Sequence, residues 1–279
     1  MRNRKVNITR FLIWLLLFFG AITMVLPFLW MISTALKEPN LVYTIPPKWI
    51  PNPVKWRNFK DVWEVSNLTT GLLNSSIIAI TVLFFSTVTS SMAAFAFSKL
   101  RFPMKQTIFL ALLSTMMVPL VVLLVPQFLI YTKIGWIDTL LPMIVPISLC
   151  NINMIFFLRQ YLSGLPGDLL EAAKIDGCSY FGIYARIYLP LMKTAIAANL
   201  ILLFMNTWND YFGPLVFTHS KNKQTVQVAI AMMHSHYEQQ TNIPLVMAAS
   251  LVAVLPVLIL FIAFQKHFVD SFAMTGIKG

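Results

Sequence analysis

Residues 159–193 read RQYLSGLPGDLLEAAKIDGCSYFGIYARIYLPLMK. Pro166-Gly167 is a turn signal, and Asp168 can cap a helix that follows it. Glu171, three residues on, completes an Asp version of the capping box. The spacing predicts a helix of about two turns, stopped at Gly177. A second helical stretch is expected over Ser179–Tyr188, with Leu189-Pro190 opening the segment beyond. Leu169, Leu170, Ala172, Ala173 and Ile175 leave the short helix apolar over much of its surface. So short a helix is not stable alone in water and needs a covering surface. Its own bundle, the membrane or another protein can supply one. Glu171 and Asp176 weigh against the membrane, whose surface helices favour Lys and Arg.

On either side the charges vanish. Residues 139–158 precede this loop, and 194–220 follow it with Asp210 as their one ionised group. Further out, 11–36, 65–98, 106–132 and 239–265 contain no Asp, Glu, Lys or Arg. Each is long enough for the roughly 20 helical residues that a hydrocarbon core of about 30 Å requires. The chain is 58% hydrophobic and only 11% charged, against roughly 25% charged in a soluble domain. Its mean hydropathy is +0.74. The fold class is therefore all-α: a polytopic integral membrane protein with six transmembrane helices in a single transmembrane domain. The connecting pieces are 1–10, 37–64, 99–105, 133–138, 159–193, 221–238 and 266–279.

The first apolar segment follows Arg2, Arg4, Lys5 and Arg10, as a signal peptide would. Its apolar part exceeds the roughly 7–15 residues of a signal core, and no small-x-small site follows, so it is expected to stay as a span. With the N-terminus inside, the cytoplasmic pieces 1–10, 99–105, 159–193 and 266–279 hold 13 of the 21 Lys and Arg. Lys99, Arg101 and Lys105 crowd one short loop, and short loops decide orientation. Both termini are then cytoplasmic. The same rule accounts for the net charge of +11 without nucleic acid as a partner.

Seven prolines fall inside spans: Pro27, Pro119, Pro126, Pro142, Pro146, Pro214 and Pro256. Each frees a carbonyl and bends a helix, and neighbouring helices must satisfy what is freed. They can serve plain bundle geometry or a bundle that changes shape. In the outer loop, Trp49, Trp56 and Trp63 recur every seven residues. That suits one face of a surface helix from about residue 54, with the rings as interfacial anchors. His234 and His236 are expected in a loop. Cys150 and Cys178 have no metal-ligand spacing around them and are expected to form no disulfide.

Asp210 would lie about 24 Å along its span from Thr194, near the headgroups. Beside Trp208 and Tyr211 it can be interfacial. It can also belong to a site, because ionised groups inside spans line pathways. Asn206, Trp208, Asn209, Asp210 and Tyr211 offer the amides, carboxylate and aromatic faces that bind sugar hydroxyls and C–H faces. No GxxxxGK[ST], zinc pair or G-x-S-x-G turn is present, so the chain is expected not to be an enzyme and to bind no cofactor itself.

Glu171-Ala172-Ala173, Gly177, Ile187 and Leu189-Pro190 match the EAA loop of ABC importer permeases, EAA-x3-G-x9-I-x-LP, at every position. Trp208-Asn209-Asp210-Tyr211 through Pro214 resembles the fifth-span signature of the carbohydrate, maltose-transporter branch. Thr275–Gly279 resembles its C-terminal tail, with Gly276, Lys278 and Gly279 at the ATPase interface. The six-span layout is that of the smaller permease partner. The resemblance implies the type I ABC importer permease fold and a coupling helix docked on an ATPase subunit. In it, Glu171 pairs with a basic group, Ala172 and Ala173 allow close packing, and Asp176 and Gly177 end the helix. It implies a second permease subunit, two ATP-binding subunits holding ATP and Mg, and an extracytoplasmic sugar-binding protein. The setting would be a bacterial or archaeal cell membrane. Against it stands an ion-coupled carrier or channel that needs no ATPase.

Overall fold

The computed structural model describes residues 8–235 and 241–276. Among them every regular element is helical. The helices are α1 (Ile8–Ala35), α2 (Asn58–Val65), α3 (Leu68–Lys99), α4 (Lys105–Thr115), α5 (Leu120–Lys133), α6 (Leu141–Leu149), α7 (Ile152–Ser163) and α8 (Asp168–Ile175). They continue with α9 (Tyr180–Leu191), α10 (Lys193–Trp208), α11 (Phe212–Phe217), α12 (Val226–Ser235) and α13 (Ile243–Gly276). Four stretches cross a membrane by length and composition: Arg10–Ala35, Leu68–Lys99, Leu141–Ser163 and Ile243–Gln265. Two bent pairs, α4 with α5 at 98° and α9 with α10 at 74°, bring the number to six if each pair is one span.

The chain divides into two compact units: residues 1–68 with 230–255, and residues 69–229 with 256–279. In the first, the loop after α1 is sewn onto the end of that helix. Asn58 donates from its amide to the carbonyls of Ala35 (2.8 Å) and Lys37 (2.9 Å). The Lys55 N–H donates to Leu36, and the Ser33 hydroxyl to Trp49. The Asn58 and Lys55 bonds satisfy carbonyls left unpaired at and just beyond the helix C-terminus, and the Ser33 bond pins the loop at Trp49. The Trp49 ring meets Trp30 edge-on at 5.0 Å, and the Lys37 ammonium sits 4.0 Å over Trp30. Only Trp63 of the three spaced tryptophans lies in a helix. The sevenfold spacing therefore does not mark a helical face, because the prolines around Trp49 keep that part irregular.

The second unit is built around α3. Ser86, Ser90 and Ser91 are fully buried on it. Small side chains let helix backbones approach where lipid offers no hydrophobic drive. At Gly71 an added Cβ would lie 3.0 Å from the Val226 Cα, so only glycine admits this approach. The hydroxyls of α3 also serve broken neighbours. Thr89 donates to the Ser148 carbonyl at 2.7 Å, which the break between α6 and α7 leaves free. Asn151 restarts α7 by accepting from Met154 N–H at 3.1 Å. This helix runs to Ser163, five residues into the stretch expected as loop.

Proline acts differently in the two bent pairs. Val118, Met117 and Met116 close α4 with i→i−3 bonds, and Pro119 then stands as the extended cap of α5. In α9 the residues Tyr184–Tyr188 form a π turn, with Leu189 N–H bonded to the Tyr184 carbonyl. The widened turn makes room for the Pro190 ring, which has no N–H to donate. Leu189-Pro190 thus lies inside a helix and does not open the next span, which begins after Met192. The stretch 221–238 holds helix α12, and His234 sits on it, not in a loop; His236 lies outside the described residues. Likewise 266–276 is the end of α13. Cys150 and Cys178 are free.

Asp138 joins two connections. Its backbone adopts φ 61°, and its N–H donates to the Phe217 carbonyl. Its carboxylate accepts from the N–H groups of His219 (2.9 Å) and Ser220 (2.8 Å) and from the Ser220 hydroxyl. The hydroxyl bond, followed by the two backbone bonds, lowers its pKa from 3.8 to about 2. A lowered carboxylate pKa stabilises the fold above the unfolded pKa, and that stability is lost as pH falls through the folded one. Asp138→Asn tolerates the same backbone but cannot accept from the hydroxyl. It is expected to lower the thermal midpoint at pH 7 and to converge with wild type as pH falls from about 4 to about 2. A constant difference across that window would remove the carboxylate from this role.

Candidate functional site

The 159–193 loop forms α8 and α9, and its two ends are held differently. Helix α8 begins at Asp168, one residue earlier than a capping box requires, and Gly167 at its N-cap makes no side-chain bond. Asp168 and Glu171 still lie in the first turn, where carboxylates favour the positive end of the helix dipole. The stop is as expected. Gly177 has φ +77°, its N–H donates to Lys174, and the Cys178 N–H donates to Ala173. This is the Schellman pattern, and it needs a residue without a Cβ at Gly177.

The motif splits into two faces. Ala173 is 5% exposed and joins the main core cluster, with Leu170, Ile187 and Leu189 packed against it. Asp168, Glu171, Ala172, Ile175 and Asp176 are exposed. Residues 168, 171, 172 and 175 follow helical spacing, so they form one stripe. Ile175 is 87% exposed, and nearby in sequence Phe181 is 66% exposed. Ile175 is among the apolar residues expected to need a covering surface, but Phe181 was not singled out from the sequence, although uncovered apolar side chains beside a polar stripe mark contact surfaces. The small size of Ala173 serves packing within the chain, whereas Ala172 is exposed. Pro190 is exposed, and Gly276 ends α13; Lys278 and Gly279 lie outside the described residues.

Basic residues fix this loop to α3. Arg159 donates to Phe97 O at 3.2 Å, and Lys105 to Ser98 O and Leu100 O at 3.1 and 2.8 Å. They satisfy the last carbonyls of α3, where cations also meet the negative end of its dipole. Lys99 donates to Leu165 O at 2.8 Å, in the turn that leads into α8. The Ser91 and Tyr184 hydroxyls share a bond of 2.8 Å, and the Phe95 ring meets Tyr184 and Tyr188. Met154, Ile78 and Leu203 belong to the core cluster that receives Ala173 and also line a cavity.

That cavity has a volume of about 880 Å³. Asn199, Leu203, Asn206, Thr207 and Asp210 bring one face of α10 and its C-terminal break to its wall. Gln127, Asn151 and Asn153 add amides from α5 and α7. Of the five residues proposed from the sequence, Asn206 and Asp210 line it; Trp208, Asn209 and Tyr211 do not. Trp208 is buried and stacks on Phe204 at 5.3 Å. Asn209 accepts from the Gln227 amide at 3.2 Å, and Tyr211 meets Phe212 edge-on at 5.5 Å. The i, i+4, i+7 spacing from Asn199 carries the face in the sequence, but Gln127, Asn151 and Asn153 come from other helices and leave no such pattern. Asp210 has a structural duty too. The span breaks after Trp208, and Asp210 restarts it by accepting from Gly213 N–H at 3.2 Å. A Cβ on Gly213 would stand 2.6 Å from the Asp210 carboxylate, so the cap requires glycine there.

Residues 86–273 match the model of the binding-protein-dependent transport system inner membrane component family. This chain belongs to that family. The permease is 36% identical over 217 residues to the arabinooligosaccharides transport system permease protein AraQ of Bacillus subtilis, covering 78% of this chain and 73% of that protein. It is 28% identical to the sn-glycerol-3-phosphate transport system permease protein UgpE of Yersinia pestis, over 91% and 92% of the two chains. A chain of a bacterial ABC transporter involved in import of the acidic polysaccharide alginate, known from its crystal structure, has the same fold. It superposes with TM-score 0.82 over 96% of this permease and 99% of that chain, at 21% identity. The all-α membrane permease fold expected from the loop and its flanking spans is thus the fold of the chain.

Proposed function

We propose that this permease forms half of the pathway of an ATP-driven importer of sugars or oligosaccharides in a bacterial or archaeal inner membrane. It would have six spans, with both termini cytoplasmic. A second permease supplies the other half. Two ATP-binding subunits hold ATP and Mg, and an extracytoplasmic binding protein delivers the solute. The observation that carries this reading is the two-faced α8: Leu170 and Ala173 turn into the chain, and Asp168, Glu171, Ala172 and Ile175 turn out. The outer stripe is the docking surface for an ATPase subunit, and Glu171 pairs with a basic group there. Among the described residues Glu171 makes no ion pair of its own. Ile187, Leu189 and Gly177 hold the loop in shape, and Asp176, Gly276, Lys278 and Gly279 border the same interface. Saccharide transport is supported by the named relatives and by the amide-rich cavity.

Coupling needs a physical path between two sites that bias the same element. Here the cluster under Ala173 is continuous with the cavity wall through Met154, Ile78 and Leu203. The test is reconstitution in liposomes. The chain alone is expected to move no solute. The complex with its ATPases and binding protein is expected to couple saccharide uptake to ATP hydrolysis. Uptake by the chain alone would replace this reading with an ion-coupled carrier or channel.

A further inference from the structure

The cavity wall has an uneven chemistry for so basic a protein. The chain carries 21 Lys and Arg against 10 Asp and Glu, yet among the described residues no Lys, Arg or His lines the cavity. Lys105 and Arg159 donate to carbonyls at the end of α3, and Lys99 to Leu165 O; none of the three lines the cavity. The one acid on the wall among the described residues is Asp210. Its carboxylate already accepts a bond from Gly213, which leaves acceptor capacity facing the cavity.

The remaining polar wall is uncharged: amides, with the hydroxyls of Thr115, Tyr131, Thr207 and Thr225. Gln127, Asn153 and Asn206 line the cavity and make no hydrogen bond within the described chain. Each offers two donors and an acceptor. Asn151 and Asn199 use part of their capacity on backbone groups. Between these amides the wall is apolar, with Met143, Leu203 and Phe217 among its residues. Hydroxyls both donate and accept, so amides pair with them in either sense, and apolar faces suit sugar C–H groups. A uronate or phosphate ester differs. Its charge needs a cation or several donors in a poorly solvated passage, and here it would meet a carboxylate.

We infer that this permease passes neutral polyhydroxy solutes and discriminates against anionic ones, through a wall of amides and hydroxyls whose one acid among the described residues is Asp210 and which holds no cation there. The inference rests on the saccharide-importer reading and narrows it to uncharged saccharides.

The experiment uses the complete transporter with its binding protein in proteoliposomes. Its probes are a neutral pentose oligosaccharide, a neutral hexose oligosaccharide, a uronate oligosaccharide of equal length and glycerol 3-phosphate. Uptake and ATPase stimulation are expected to be at least tenfold greater for one of the neutral probes than for either anion. Faster movement of an anion overturns the inference and leaves the importer intact; no ATPase stimulation by any probe defeats the importer reading itself. A second arm separates the wall from the binding protein, which stays unchanged. Asn206→Lys is expected to raise the anion-to-neutral uptake ratio at least fivefold, and Asn153→Lys, on a different helix, is expected to do the same. An unchanged ratio in both variants, with ATPase activity retained, overturns the wall's part in selection.

Discussion

Glu171→Lys is expected to abolish coupled uptake while leaving the permease folded. Glu171 stands on the exposed stripe of α8 and makes no side-chain hydrogen bond or ion pair among the described residues, so within the chain the change costs only its favourable place at the helix N-terminus, about 0.3–1 kcal/mol. On the proposed docking, the substitution puts a cation against a basic group of the ATPase subunit. Truncating one member of a desolvated charge pair already weakens binding by more than tenfold, and reversal adds repulsion. Association with the ATPase subunits should fall by about 100-fold or more. The readouts are co-purification of the ATPases, ATPase stimulation by the loaded binding protein, and the thermal midpoint of the permease alone. Wild-type uptake with wild-type stimulation would remove Glu171 from the interface. A midpoint of the permease alone lowered by more than that helix-terminus cost would assign it a structural role.

The apolar stretches were legible because lipid imposes one simple rule, a long run almost free of charge. Four fall on Arg10–Ala35, Leu68–Lys99, Leu141–Ser163 and Ile243–Gln265. The stretch 106–132 falls on the bent pair α4 with α5, whereas 194–220 shares only α10 with the bent pair α9 with α10. The stop of α8 was legible because a positive φ has one inexpensive residue, Gly177. The bends were harder. Pro119 breaks its span and Pro190 does not, since the π turn at Tyr184–Tyr188 absorbs the missing donor. No local pattern distinguishes those outcomes, because the widened turn is held by tertiary contacts such as Ser91 with Tyr184. The cavity was half legible. Asn206 and Asp210 lie four apart on one face, but the aromatic neighbours that made the cluster look like a sugar site turn elsewhere. Trp208 packs on Phe204, and the break after it redirects Tyr211. The amides of Gln127, Asn151 and Asn153 converge only in three dimensions.

The Ala172-Ala173 pair gives the second large effect, because adjacent alanines of one motif face opposite ways. Ala173 is 5% exposed within the core cluster that also holds Leu162, Ile183 and Tyr188. Ala173→Leu forces three extra carbons into that packing, which costs about 1–3 kcal/mol in a filled core. The thermal midpoint of the permease alone should fall, and uptake with it, because α8 is lifted from the surface that fixes its position. Ala172→Leu adds the same volume to the outer stripe, where the lone chain has space. Its midpoint should match wild type, while ATPase association weakens because the partner can no longer approach closely. One substitution is thus read in the isolated subunit and the other only in the complex. Equal midpoints for the two variants would mean that α8 does not lie on the chain through Ala173. The division between anchoring and docking residues would then fail at its central position.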